Sequence, residues 1–434
     1  MTPDGNTRAQ ELDAQDPLAH FRRRFLPAEG VIAYLDGNSL GRPLAVTATR
    51  MQSFIADAWG TRLIRGWDEE WMGWPESIGD LIGSGVIGAA AGQTVVADST
   101  TVMLYKQARA AVAARPDRTE VVLDTHNFPT DRYVLEGIAA ERGLTLRWVD
   151  TDGETGIQPE QVAEVVGPQT ALVVFSHVAY GSGFIADVPT ITAIAHDAGA
   201  LVLWDLCHSA GSVPIHLDDW GVDLAVGCTY KYLNGGLGAP AFGYVRSGLL
   251  GQVQQPIWGW MGRKDVFEMG PGYTPADGIR SMVSGTPPIL GMLPVRAGVE
   301  LTAEAGIAAI RAKSVLLTGF AIEIVDSWPA ELGVHVASPR ESAQRGGHVT
   351  IRRPDFREVT AALWARGVIP DFRAPDAIRI GLSPLSTSFV ELYVGLEVIR
   401  EVATDTPLAR RAWLSRGPVP ADRPGSDVRS RRAP

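Results

Sequence analysis

Between Thr94 and Val245 the chain alternates short, almost wholly apolar runs with stretches of helical period, and few folds accept that pattern. The runs are EVVLD (120–124), LTLRWVD (144–150), TALVVFS (170–176), ALVLWD (200–205), VDLAVGC (222–228) and AFGYV (241–245). A strand with one wet face alternates apolar and polar residues, whereas a strand apolar throughout must be covered on both sides. The stretch 188–198 carries Pro189 at its start and Gly199 just past its end, the punctuation of a helix. The chain is therefore expected to be α/β, with a mostly parallel sheet covered by helices. In such sheets ligands sit beyond the carboxyl ends of the strands. Residues that close the runs are the first places to look for chemistry.

After Pro294 the character changes to a long helical stretch, then HVTIRR (348–353), a helix over 356–366, AIRIGL (377–382) and a last helix from Ser388. This predicts a large domain over 46–294 and a small α+β domain from 1–45 and 295–415. Residues 416–434, rich in Arg, Pro, Ser and Gly, read as a disordered tail. A length of 434 residues supports two cores better than one.

The balance of 39 basic and 49 acidic residues argues against a nucleic-acid partner, which calls for a basic face. No run approaches the roughly 18 apolar residues of a membrane span, and the N-terminal residues lack the apolar centre of a signal peptide. Cys207 and Cys228 are the only cysteines, so no disulfide framework is expected and a cytoplasmic location fits. The histidines lack the close spacing of zinc ligands, and no metal is expected.

Asp205 closes one buried run, within Trp204-Asp205-Leu206-Cys207-His208. A lone Asp there is most often a turn or cap, but the next run leads into Thr229-Tyr230-Lys231-Tyr232-Leu233-Asn234-Gly235-Gly236. A lysine between tyrosines, after a buried strand and before paired glycines, is an unusual surface lysine. Burial disfavours its charged form, which suits an amine that must condense with an aldehyde. A lysine for the aldehyde and a carboxylate for the ring nitrogen are what pyridoxal 5'-phosphate (PLP) requires. Asp98-Ser99-Thr100-Thr101 precedes a helical pattern, and free N–H groups with hydroxyls at a helix start attract a phosphate. Taken alone, Ser and Thr there are ordinary caps. His126-Asn127-Phe128-Pro129-Thr130-Asp131 follows another run, and Phe128 can stack on a ring or simply staple a helix.

Together these residues resemble the kynureninase family, fold-type I PLP enzymes of the aspartate-aminotransferase-like group. The resemblance runs through YLDGNSLGRP (34–43), NFPTDRY (127–133), WDLCHSAG (204–211), GCTYKYLNGG (227–236), QPIWGWMG (255–262), SGTPPIL (284–290) and IRIGLSPL (378–385). It implies that Lys231 carries PLP as a Schiff base and that Asp205 faces the pyridine nitrogen. Thr100, Thr101, Ser176, His208 and Tyr230 would surround phosphate and ring, with Phe128 stacked and Pro129, Thr130 and Asp131 alongside. Trp260 and Thr286 match positions that reach the cofactor from a neighbouring subunit, which implies a homodimer with shared sites. Arg379 matches the arginine that holds the substrate carboxylate, a task suited to a planar guanidinium. Ser39 and Trp67 match positions near the substrate's carboxylate and ring.

The activity implied is hydrolytic Cβ–Cγ cleavage of L-kynurenine to anthranilate and L-alanine, with Lys231 and Tyr230 moving protons. Trp67 and Thr286 stand where members preferring 3-hydroxykynurenine resemble one another in carrying His and Asn, so unsubstituted kynurenine is expected to be preferred. The rival within the fold is a cysteine desulfurase, which needs a catalytic cysteine on a mobile loop. Here both cysteines close apparent strands and read as structural.

Overall fold

The protein is described by a computed structural model over residues 5–405. The expected tail, 416–434, and the last residues assigned to the small domain lie outside the described residues.

β1 (Ala33–Leu35) belongs to the small domain, and the next seven strands build the large one. These are β2 (Thr94–Ala97), β3 (Glu120–Asp124), β4 (Thr145–Val149), β5 (Thr170–Ser176), β6 (Leu201–Asp205), β7 (Leu224–Gly227) and β8 (Ala241–Val245). Their order is β2-β8-β7-β6-β5-β3-β4. Every pairing is parallel except the two made by β8.

The continuous apolar runs have a direct cause in the layers. In β5, Leu172 and Val174 face one cluster while Val173 and Phe175 face the other. In β6, Leu201 and Leu203 likewise oppose Val202 and Trp204. Successive side chains point to opposite faces, so both sets must be apolar. Each buried Val or Leu contributes about 1.5–3 kcal/mol. Helices Thr100–Ala113 and Pro129–Arg142 cover one face; Trp74–Ile82, Val188–Asp197 and Ile289–Ala305 cover the other. β4 is the edge strand, which is why its run includes the exposed Thr145, Arg147 and Trp148. The expected helix after Asp187 begins as its sequence suggests, with the Asp187 carboxylate accepting from Thr190 N at 3.1 Å.

The small domain adds β9 (His335–Val336), β10 (His348–Arg352), β11 (Val368–Arg373) and β12 (Ala377–Gly381) in the order β1-β11-β12-β10-β9. Its own cluster includes Leu35, Phe356, Ile378, Ile380 and Phe389. The expected boundary at Pro294 falls inside helix Ile289–Ala305, whose Met292, Val295 and Val299 belong to the large-domain core. Pro294 thus lies within a helix that tertiary contacts hold, although a proline usually breaks one. The helix ends at Gly306 (φ 77°), and helix Ile307–Asp326 departs from it at 84°. Among the described residues no single helix is long and apolar enough to cross a membrane.

Candidate active site

The carboxyl ends of β3, β5, β6 and β7 deliver the candidates to one place. Ser176 and Asp205 end their strands side by side in register. Asp205 is buried; its Oδ1 accepts from Cys207 N at 2.8 Å, and Ser176 Oγ lies 3.5 Å from its Oδ2. Ser176 Oγ donates to Asn127 Oδ1 at 3.0 Å, and Asn127 Nδ2 donates to Val174 O. Asn127 thereby ties the loop after β3 to β5. Its Oδ1 also accepts from Phe128 N at 2.7 Å, and Phe128 caps helix Pro129–Arg142. Asp131, in the first turn, is buried, and its Oδ2 has no hydrogen-bond partner. Burial, then the charges of Asp205 and Asp124, hold its carboxyl well above the usual range, with Lys231 opposing.

Lys231 sits on the turn after β7. Gly235 N donates to Thr229 O at 2.8 Å and Asn234 N to Lys231 O at 3.0 Å, which closes that turn. The N-terminal segment braces it from outside, with Gly41 N donating to Tyr230 O at 2.8 Å. A Cβ at Gly41 would collide with Lys231 O and Asn234 Nδ2, so the GNSLG segment needs its second glycine for close backbone approach. The lysine is 8% exposed. Its Nζ lies 3.4 and 3.5 Å from the two His208 ring nitrogens and 5.9 Å from the Phe128 ring centre. Burial, then the cations Lys231 and Arg379, push His208 far below the usual histidine range. The imidazole is therefore neutral. Burial raises the Tyr230 phenol, with Cys228 and Cys207 adding to it, so Tyr230 keeps its proton.

The small domain contributes Arg379 from the middle of β12, fully buried. Its Nε donates to Asp371 Oδ2 at 2.7 Å, Nη1 to Tyr180 O at 2.7 Å and Nη2 to Ser39 Oγ at 2.9 Å. Nη1 also stands 3.4 Å from His208 Nε2, which links the domains across the site. Asp371 is the cross-strand partner of Arg379 and receives Arg373 Nε at 2.7 Å as well. Beside the site a cavity of about 270 Å³ lies between the domains, lined by Asn127, Ser176, Tyr180, Arg352 and Arg373 among others.

Thr100 and Thr101 open helix Thr100–Ala113 at the same edge of the sheet, after the Ser99 cap. An ion pair of 2.5 Å between the buried Lys106 and the partly exposed Asp98 pins that start. Pro129 and Thr130 are half-buried in the first turn beside Phe128. Trp67, Trp260 and Thr286 make no hydrogen bond to the Lys231 group. Trp67 lies edge-on to Trp71 at 5.7 Å, Trp260 is 42% exposed near Phe267, and Thr286 is exposed. Sequence reasoning gave no role to Asn127, Tyr180, Asp371 or His348. Tyr180 stands edge-on to Phe128 at 5.2 Å, and the buried His348 ring is 5.8 Å from His208. Asn127 lay within a quoted motif; nothing local in the sequence marked the other three.

This donor set fits PLP. A nearly buried amine has only a neutral imidazole in hydrogen-bond reach among the described residues, which leaves it free to condense with an aldehyde. The buried Asp205 offers a carboxylate partner for a protonated ring nitrogen, and the buried Asp131 beside it carries an unpartnered oxygen.

Fold and site together define a fold-type I PLP enzyme. Among solved structures, a cysteine desulfurase from Thermococcus onnurineus NA1 superposes with a TM-score of 0.75 at 19% identity, covering 91% of this chain and 98% of that one. The Escherichia coli cysteine desulfurase CsdA gives 0.75 at 16%, covering 89% and 98%. At such identities the likeness concerns the fold alone. Residues 310–399 match the kynureninase C-terminal domain, and 89–214 the DegT/DnrJ/EryC1/StrS aminotransferase family. A kynureninase from Pseudomonas fluorescens is 42% identical over 410 residues, 93% of this chain and 95% of its own length. One from Burkholderia pseudomallei (strain K96243) is 39% identical over 412 residues, with 93% and 96% covered. The chain belongs to the kynureninase family and is an enzyme of that family.

Proposed function

We propose that the chain hydrolyses L-kynurenine at Cβ–Cγ to anthranilate and L-alanine, with PLP on Lys231, as a step of tryptophan catabolism. The observation that carries this reading is the juxtaposition of Lys231 and Arg379 on either side of His208. A lysine that exchanges amines and an arginine that binds carboxylates, one imidazole apart, would suit an α-amino acid substrate. PLP supplies an electron-withdrawing ring that stabilises negative charge at carbon next to the substrate amine.

The chain's own groups do the rest. Arg379 grips the α-carboxylate through the edge now facing Ser39 and His208, while Asp371 and Tyr180 O hold its other edge fixed. Lys231 Nζ would take the proton from Cα. Asp205 would face the ring nitrogen and keep it protonated, with the buried Asp131 beside it. Water adds at the γ-carbonyl, the Cβ–Cγ bond breaks, anthranilate departs, Tyr230 Oη delivers a proton to Cβ and regains one released by the added water, and Lys231 Nζ returns its proton to Cα. One water is consumed, and the products are one anthranilate and one L-alanine.

The test is anthranilate fluorescence from purified protein, PLP and L-kynurenine beside a Lys231→Ala control. Release that needs the lysine supports the reading; equal release by the variant refutes it.

Three finer points belong to the same reading. Unsubstituted kynurenine is preferred because the Trp67 indole narrows the space for a ring hydroxyl; a higher specificity constant for 3-hydroxykynurenine would overturn this. The protein works as a homodimer in which Trp260 and Thr286 complete the partner's site, supported by the exposed apolar loop of Trp258, Trp260, Phe267 and Met269. Mixed dimers of Lys231→Ala and Trp260→Ala, each inactive alone, then recover about a quarter of normal activity, since half the dimers hold one intact site. No recovery refutes sharing. The protein resides in the cytoplasm, in keeping with two unpaired cysteines; finding it secreted would refute this.

A further inference from the structure

Cys207 and Cys228, the chain's two cysteines, meet beneath this site. β6 and β7 are parallel neighbours with Asp205 opposite Val226, and Leu206 N continues the ladder to Val226 O at 2.8 Å. Cys207 then lies in the turn that leaves β6, and Cys228 directly follows the end of β7. The two segments leave strands that lie about 4.8 Å apart, and a disulfide spans roughly 4.4–6.8 Å between Cα atoms. Cys228 Sγ is 3.7 Å from Cys207 O.

Both thiols are buried, at 8% and 3% exposure, where a thiol is ordinarily inert. Burial does push Cys228 up, but the Cys207 thiol and the Lys231 charge outweigh it, and the net shift is downward. Cys207 moves the other way, first through its hydrogen bond with Cys228 and then through burial. An activated thiol beside one that keeps its proton is the arrangement of an attacking and a resolving cysteine. Each is also wired to the chemistry. Cys207 N holds Asp205 Oδ1 at 2.8 Å, and Cys228 opens the turn that carries Lys231.

We infer that Cys207 and Cys228 are a modification site, a peroxide-sensitive dithiol that closes to a disulfide and shifts Asp205 and Lys231 out of working alignment. The Cys228 thiolate attacks an oxygen of hydrogen peroxide; the O–O bond breaks, hydroxide leaves and takes up a proton, and Cys228 becomes a sulfenic acid. The Cys207 thiol attacks that sulfur, its proton leaves with the displaced hydroxide as water, and the S–S bond forms. Two thiols and one peroxide give one disulfide and two waters. Loss of activity rests on the function proposed above; formation of the bond does not.

The holoenzyme is treated with hydrogen peroxide, quenched, and unfolded with a thiol-trapping reagent. The expected result is two thiols falling to none, an intact mass lower by about 2 Da, and a peptide linking Cys207 to Cys228. Anthranilate release is lost in parallel, and dithiothreitol restores both. Cys207→Ser shows no such mass loss; if it does not fold, the wild-type thiol count and linked peptide decide alone. Separate oxygen additions on the two sulfurs, thiols untouched in the folded enzyme, or a disulfide with full activity would each overturn the inference. Reduced enzyme that forms the disulfide but never releases anthranilate would sink the functional reading and leave the dithiol standing.

Discussion

Replacing Asp371 by Asn tests whether Arg379, the proposed carboxylate anchor, depends on its neighbour across the sheet. Arg379 has 1% of its side chain exposed and Asp371 17%, with Nη2 and Oδ2 at 2.5 Å. Removing one member of a fully buried pair leaves the other charge uncompensated and costs about 3–5 kcal/mol, while an exposed pair contributes up to about 1 kcal/mol. The slight exposure of Asp371, and the oxygen that Asn retains, place Asp371→Asn at about 2–3 kcal/mol. Arg373, which shares the same oxygen, loses its partner too. Urea unfolding followed by tryptophan fluorescence measures the loss. With the guanidinium free to swing, KM for L-kynurenine rises about tenfold, equivalent to about 1.4 kcal/mol, while kcat changes less. Stability within about 0.5 kcal/mol of wild type, an ordinary surface effect, together with an unchanged KM, would show that Tyr180 and Ser39 suffice to hold Arg379.

Asp124 ends β3 under burial that raises its pKa to about 6, against hydrogen bonds from His126 N and Thr151 Oγ1 that lower it. The folded state thus holds this proton after the unfolded chain has released it, and its contribution to stability is full below pH 4 and lost as pH rises towards 6. Asp124→Asn is expected to gain about 2–3 kcal/mol on wild type between pH 4 and pH 7; a difference independent of pH would refute that assignment. Gly41→Ala drives a methyl into Lys231 O, so PLP affinity, read from bound-cofactor absorbance, falls at least about tenfold; unchanged affinity would refute the close approach. Phe389→Ala empties a fully enclosed place in the small-domain core and destabilises it by about 3–5 kcal/mol. A loss under about 1 kcal/mol would mean that the core collapses around the gap.

Much of this protein was legible without its structure because the signals are local. Apolar runs without alternation require two covered faces, and β3, β5 and β8 span the residues that the runs mark. Asp205 and Lys231 were readable because strand ends place side chains at the ligand edge whatever surrounds them. What remained hidden depends on register and docking. Asp371 serves Arg379 because β11 and β12 pair antiparallel in one register, and no spacing in sequence reveals that. Arg379 meets His208 only when the small domain closes on the large one, a contact between residues 171 positions apart. Asp131 is named by resemblance, but its burial beside Asp205 and Lys231 with an unpartnered oxygen shows only in the fold. Pro294 stays inside a helix because core contacts hold that helix on both sides of it. Periodicity is written along the chain, whereas the partner of a buried charge is chosen by which segments fold against it.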